Sequence, residues 1–127
     1  MNGIIATLAF FSAAVHGYIF WLEAVAFDSA TTRAAFRIRT PEQADAIRPW
    51  AYNQGFYNLF LAVAVLAGAV LLLAGATTVG VTAIVFGCAV MLAAASLLAI
   101  SDRSMLKSAL VQGLAPALTL LAIASTR

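Results

Sequence analysis

A chain of 127 residues with 64% hydrophobic and 9% charged side chains is not a soluble globular domain, where about a quarter would be charged. A net charge of +2 points away from nucleic acid, whose phosphate backbone is met by a dense basic surface. The composition and length fit one integral membrane domain over residues 1–127.

Apolar runs of roughly 20 residues match the ~30 Å hydrocarbon thickness at 1.5 Å rise per residue. Four are present, at about 3–27, 53–74, 79–100 and 108–125. They predict an all-α fold, a four-helix transmembrane bundle with a short interfacial helix in the first loop. Met1–Ala14 has no basic n-region and its apolar run continues to Phe27. It therefore reads as part of the first span and not as a cleaved signal peptide. Within that span, His16 and Glu23 are seven residues apart, with Ile19 and Phe20 on the same helical face. Tyr18 and Trp21 lie off that face and are placed to wall a pocket or touch a neighbouring molecule.

The first loop is the long one. Ala34, Ala35 and Phe36 interleave with Arg33, Arg37 and Arg39, which reads as an amphipathic segment at lipid headgroups. Thr40-Pro41-Glu42-Gln43 is a helix start: Thr40 caps, Pro41 fits the first position and Gln43 completes a capping box. Pro49 is expected to break or kink that helix before the membrane. Trp50 and Tyr52 fit an interfacial aromatic belt.

The second span opens Asn53-Gln54-Gly55-Phe56-Tyr57-Asn58, with Asn53, Gln54, Tyr57 and Asn58 on one side of a helix. Gly75-Ala-Thr-Thr78 and Ser101-Asp102-Arg103-Ser104 are tight links, so sequential spans pack antiparallel. Ala64-x-x-x-Gly68 and Ala83-x-x-x-Gly87 allow close helix approach, within the chain or between copies in a homo-oligomer. Cys88 is the sole cysteine and reads as buried packing. The fourth span carries Gln112 and Pro116. The carbonyl that Pro116 frees one turn earlier is expected to face the bundle.

Charge sets the expected orientation. Arg33, Arg37, Arg39 and Arg48 lie in the first loop, Arg103 and Lys107 in the third, and Arg127 with the amino terminus opposite. Basic short loops stay in the cytoplasm. The expectation is a multi-pass protein of a bacterial inner membrane, with both termini outside and the first and third loops cytoplasmic. Counted from the inner ends of their spans, Glu23 is then ~6 Å deep, Asn58 ~8 Å and His16 ~16 Å. Gln112 is ~8 Å deeper than Lys107. Polar side chains from three spans thus meet in one leaflet.

A polar group facing lipid is costly, and a carboxylate at mid-span costs about 2.5–3.5 kcal/mol. Interhelical hydrogen bonds offset only ~0.6 kcal/mol on average. A pocket open to the cytoplasm and lined by His16, Glu23, Asn53, Gln54, Tyr57, Asn58 and Gln112 accounts for the cluster better than structural glue. Any cofactor is left unidentified by these residues. One histidine leaves a haem iron with an open axial site or a ligand from another subunit, and His16, Glu23 and amides are a poor zinc set.

His16-x-Tyr18-x-x-x-x-Glu23, the basic loop, Asn53-Gln54-Gly55-x-Tyr57-Asn58 and Gln112-Gly113-x-x-Pro116 together resemble the small bacterial membrane proteins catalogued as domain of unknown function 1304. The resemblance spans almost the whole chain. It implies a four-span α-helical membrane protein and no particular activity. A weaker likeness is to small multidrug-resistance transporters, which also have four spans and a first-span glutamate flanked by aromatics. Here the glutamate is nearer the inner end and a long basic loop follows it.

Three functions remain on these residues. The first is binding or transport of a small polar or amphipathic ligand, with membrane lipids as the other partner. The second is an intramembrane enzyme, isomerase-like, with His16 and Glu23 as acid and base. The third is a structural or assembly protein whose polar groups lock the bundle. The outer half of every span is nearly featureless, which favours one-sided binding or chemistry over a simple pump.

Overall fold

The computed structural model describes residues 1–126; Arg127, counted above on the outer side, lies outside the described residues. Helix α1 (Asn2–Phe20) runs into a π-helical turn (Trp21–Val25). A short α2 (Ala30–Ala35) follows, then α3 (Pro41–Leu73), α4 (Thr77–Ser101), a 3₁₀ turn (Arg103–Met105) and α5 (Leu106–Ala124). Four segments are long and apolar enough to cross a bilayer: Asn2–Val25, Pro41–Leu73, Thr77–Ser101 and Arg103–Ala124. Helix α1 packs on α3, α3 on α4, α4 on α5, and α5 back on α1. The result is a closed ring of antiparallel neighbours.

The ends of the helices follow from local chemistry. Ser29 caps α2 by accepting from Thr32 N at 3.2 Å. Thr40 caps α3 by accepting from Gln43 N at 3.3 Å. The Gln43 side chain reaches one residue further back than a capping box requires, to Arg39 N at 2.9 Å. At the other end of α3, Gly75 takes φ +90°. Ala76 N bonds Leu71 O and Gly75 N bonds Leu72 O, which closes a Schellman motif. The same motif ends α2 around Arg37, whose φ is +56°. Ile38 N bonds Arg33 O and Arg37 N bonds Ala34 O. A left-handed arginine costs roughly 1–2 kcal/mol; its guanidinium donates to Ser104 O at 3.0 Å and ties the first loop to the third.

Pro49 neither ends nor interrupts α3, which is helical throughout Pro41–Leu73. The expected break before the membrane does not occur. The hydrogen bond Pro49 forgoes would have gone to the carbonyl of Asp45, one turn earlier. Asp45 is exposed, so water can satisfy that carbonyl. The 33-residue helix is thus a membrane span extended by an exposed amino-terminal arm.

Below that arm, Phe27, Ile38, Ala44 and Ala51 form a small apolar cluster with Phe36. Around it, Asp28 accepts from Arg48 at 2.7 and 2.8 Å and from Arg33 at 3.3 Å. The Arg48 hydrogen bonds, followed by those from Arg33, pull the Asp28 carboxyl down to about 2. Arg48 also lies over the Phe27 ring, 5.1 Å from its centroid. Arg33, expected at lipid headgroups, and Arg48 are therefore paired with Asp28. Arg39, Arg103 and Lys107 remain exposed at the same end of the bundle.

The main core fills the opposite half. Ile5, Ala6 and Ala9 of α1 meet Val65, Ala69 and Leu72 of α3, Ile84 and Cys88 of α4, and Ile123 of α5. Close approach of α3 and α4 makes this half dense. A Cβ on Gly80 would fall 2.6 Å from Leu72 N and 2.7 Å from Gly68 O; one on Gly68 would fall 2.9 Å from Gly80 O. Gly87 receives Val65 Cγ2, which would lie 2.4 Å from a Cβ there. Of the small-residue pairs named from sequence, Gly68, Ala83 and Gly87 serve this intramolecular contact. Ala64 is exposed and takes no part in it.

Candidate functional site

The half of the bundle nearest the first and third loops is hollow. A cavity of about 540 Å³ is bordered by His16, Ile19 and Glu23 of the first span and by Gln54, Tyr57, Asn58 and Leu61 of α3. Val90, Met91, Ala94 and Leu98 of α4 face them, with Gln112 of α5. Phe36 of the first loop and Met105 of the 3₁₀ turn complete the lining. Most of that wall is apolar, with the polar groups set among hydrocarbon side chains.

Helices α3 and α4 are clamped together by Gly68, Gly80 and Gly87. Beyond that clamp they face each other across the cavity, Tyr57 and Leu61 opposite Val90 and Ala94. Tyr57 is 58% and Val90 38% exposed, so the rim between these helices looks sideways out of the bundle.

Glu23 reaches the cavity through a departure from regular helix. Ala26 N bonds Trp21 O at 2.7 Å, an i→i+5 contact. A π turn adds a residue to the turn and resets the direction of the side chains in it. Thr32, fully buried, stabilises the end of that turn: its Oγ1 donates to Ala26 O at 2.8 Å and accepts from Ser29 Oγ at 3.0 Å. Gly55 allows α3 to come up against the turn. A Cβ on Gly55 would lie 3.1 Å from the Cβ atoms of both Glu23 and Ala24. One turn further along α3, Asn58 Nδ2 donates to Glu23 Oε2 at 2.9 Å and to Gln54 O at 3.1 Å. The Gly55 and Asn58 of the Asn-Gln-Gly-x-Tyr-Asn segment therefore both act on Glu23, one by making room and one by bonding.

His16 is 1% exposed and Glu23 7%. His16 Nδ1 lies 3.0 Å from the backbone oxygen of Ser12. A carbonyl only accepts, so Nδ1 carries a proton and, in the neutral ring, Nε2 presents a lone pair. Deeper still, Ser12 Oγ donates to Leu8 O at 2.9 Å and lies 3.3 Å from Thr119 Oγ1. Thr119 Oγ1 donates to Ala115 O at 2.8 Å. Ser12 and Thr119 are completely buried. They were not singled out from sequence, since a serine or threonine in a span ordinarily bonds its own helix. Here the second contact crosses from α1 to α5 beneath His16.

Six of the seven sequence-selected residues border the cavity: His16, Glu23, Gln54, Tyr57, Asn58 and Gln112. Asn53 does not; it is exposed on α3. Phe20, assigned to the His16 face, packs edge-on against Phe56 with centroids 5.2 Å apart. Tyr18 and Trp21 stack on each other at 6.0 Å and are exposed away from the cavity. Among the described residues, no three His, Cys, Asp or Glu side chains converge as a metal site.

Four long apolar helices closed into a ring define a multi-pass α-helical membrane protein. The chain belongs to the family described as "Protein of unknown function (DUF1304)", whose model matches residues 10–124. No curated protein and no solved structure matches the chain.

Proposed function

We propose that this protein binds a small amphipathic ligand in the cavity between its spans, taking it from the adjoining leaflet through the rim between α3 and α4. The observation that carries this reading is a hollow region set against a packed apolar core. Buried His16 and Glu23 border about 540 Å³ of largely apolar space, while the other half is closed by Val65, Leu72 and Ile84. Volumes of about 300–1,000 Å³ with a few convergent polar groups are typical of small-molecule sites. In this conformation the core of Val65, Leu72 and Ile84 lies between this cavity and a smaller hollow at the other end bordered by Asn2, Thr77 and Thr126, which supports one-sided binding ahead of transport across the membrane.

By the positive-inside rule, the end carrying Arg33, Arg37, Arg39, Arg48, Arg103 and Lys107 is cytoplasmic. The cavity then opens in the cytoplasmic half of a bacterial inner membrane, with the amino terminus outside. The direct test is native mass spectrometry of the protein extracted in mild detergent. A small molecule retained by the wild type and lost in Ala94→Phe, which adds a ring to the cavity wall, supports binding. Equal retention by both refutes it.

One observation favours a second reading, acid–base chemistry. The Ser12 contact orients His16 so that its unprotonated nitrogen is the one left for the cavity, as a general base requires. A His16→Ala variant that folds and binds normally yet turns over no bound molecule would select the enzyme. Loss of thermal stability in both His16→Ala and Glu23→Gln, with no ligand retained by the wild type, would select a purely structural role.

A further inference from the structure

We infer that the ligand is an amphiphile whose head group donates hydrogen bonds, an alkyl primary amine in preference to an alcohol and to a carboxylate. The inference rests on the proposed binding role of the cavity and names the chemistry of what enters it. It follows from a census of hydrogen-bonding capacity. Asn58 spends both amide hydrogens on the protein, one on Glu23 Oε2 and one on Gln54 O. Those two acceptors also settle which way its amide points, because Oδ1 in that place would meet the Gln54 carbonyl. Asn58 Oδ1 is therefore an acceptor with nothing to accept.

Among the described residues Glu23 Oε1 has no protein donor, since Asn58 bonds only Oε2. Nε2 of His16 is in the same position, because Nδ1 already serves Ser12 O. Three acceptors from three buried or half-buried residues thus border one cavity. Among the described residues no lysine or arginine lines it, so no cation in the wall answers a carboxylate; the Tyr57 hydroxyl and the Gln54 and Gln112 amides are its neutral donors. The amides of Gln54 and Gln112 are the adaptable members, able to turn either way.

An alkyl amine matches this set. Its N–H groups meet acceptors that water would otherwise have to satisfy in a largely apolar space. Amine and Glu23 carboxyl hold one proton between them, and the charge-assisted hydrogen bond forms whichever partner brought it. The alkyl body lies along Leu61, Val90 and Ala94 towards the rim. An anionic head group would face three acceptors and, among the described residues, no lysine or arginine, with only the neutral donors of Tyr57, Gln54 and Gln112 to meet it.

The test uses the full chain in phosphatidylcholine nanodiscs and four probes of one chain length: decylamine, decanol, decanoate and decyltrimethylammonium. Each is added at equal mole fraction in the bilayer, and binding is read from the rise in melting temperature. The portion abolished by Ala94→Phe is cavity binding; the remainder is bilayer perturbation. Decylamine is expected to bind at least tenfold more tightly than decanoate and more tightly than decyltrimethylammonium, which has the charge and no N–H. Glu23→Gln should weaken decylamine at least tenfold while its amide oxygen still accepts from Asn58. Cavity binding of decanoate equal to that of decylamine would overturn the donor rule and leave the cavity as a binding site. Equal binding of the trimethylammonium probe would do the same. If no probe gives a shift that Ala94→Phe abolishes, the binding reading falls with it. The wild-type probe series stands even if Glu23→Gln fails to fold.

Discussion

Two glycine-to-alanine substitutions should separate helix propensity from packing in this bundle. Gly17→Ala in α1 meets nothing within 4 Å. Gly80→Ala in α4 places its Cβ 2.6 Å from Leu72 N and 2.7 Å from Gly68 O. Both neighbours of the new methyl are backbone atoms, which cannot swing aside as the end of a side chain does. Reaching an ordinary contact of 3.4 Å requires α3 and α4 to part by roughly 0.8 Å at that point. A gap of about 0.5–1 Å forfeits a quarter to a half of each dispersion contact along the seam.

Both variants gain the same helix propensity, about 0.8–1 kcal/mol for glycine to alanine. Their difference therefore isolates the steric cost, ~1–3 kcal/mol for overpacking a tight interior. Unfolding in mixed micelles against SDS mole fraction, followed by far-ultraviolet circular dichroism, gives the two free energies. Gly17→Ala should match or exceed the wild type and Gly80→Ala should fall below it. Equal stability of the two variants would refute the claim that the Gly68–Gly80 crossing closes this half of the bundle.

The first loop should be acid-sensitive. The Asp28 carboxyl sits at about 2, below its ordinary 3.8, so its contribution is complete above pH 3.8 and lost as pH falls through about 2. Protection of the Ala30–Ala35 amides, taken relative to the unfolded-chain exchange rate at each pH, should fall over that range in the wild type, and Asp28→Asn should be less protected already at neutral pH. Thr32→Val removes one of the two donors to the Ala26 carbonyl, Ser29 N remaining at 3.0 Å; micelle unfolding should show a loss of about 0.5–1.5 kcal/mol, and no loss would mean the contact is incidental. For orientation, Cys88 is fully buried and should resist a membrane-impermeant maleimide in intact cells, making the native chain the control. Thr77→Cys should label from outside and Ser101→Cys only after lysis; the reverse pattern would invert the topology.

Much of this protein was legible in the sequence because hydropathy and chain length act locally. The four spans, the tight links and the Thr40 cap need no knowledge of neighbours: a run of apolar residues must be helical in a bilayer to satisfy its own backbone. The gathering of His16, Glu23, Asn58 and Gln112 at one end was also foreseeable, since residue number sets depth once the direction of each span is known. Rotation about each helix axis was not. Asn53 and Gln54 are adjacent and equally polar, yet Gln54 borders the cavity and Asn53 does not, because the side that α3 presents is set by where Gly55 seats against the π turn and Gly68 and Val65 against α4. The π turn at Trp21–Val25, the continuity of α3 through Pro49 and the Ser12–Thr119 contact likewise depend on long-range partners. Local composition sets where a side chain lies along the membrane normal. What it faces depends on which surfaces of four helices interlock, and only packing of the whole chain decides that.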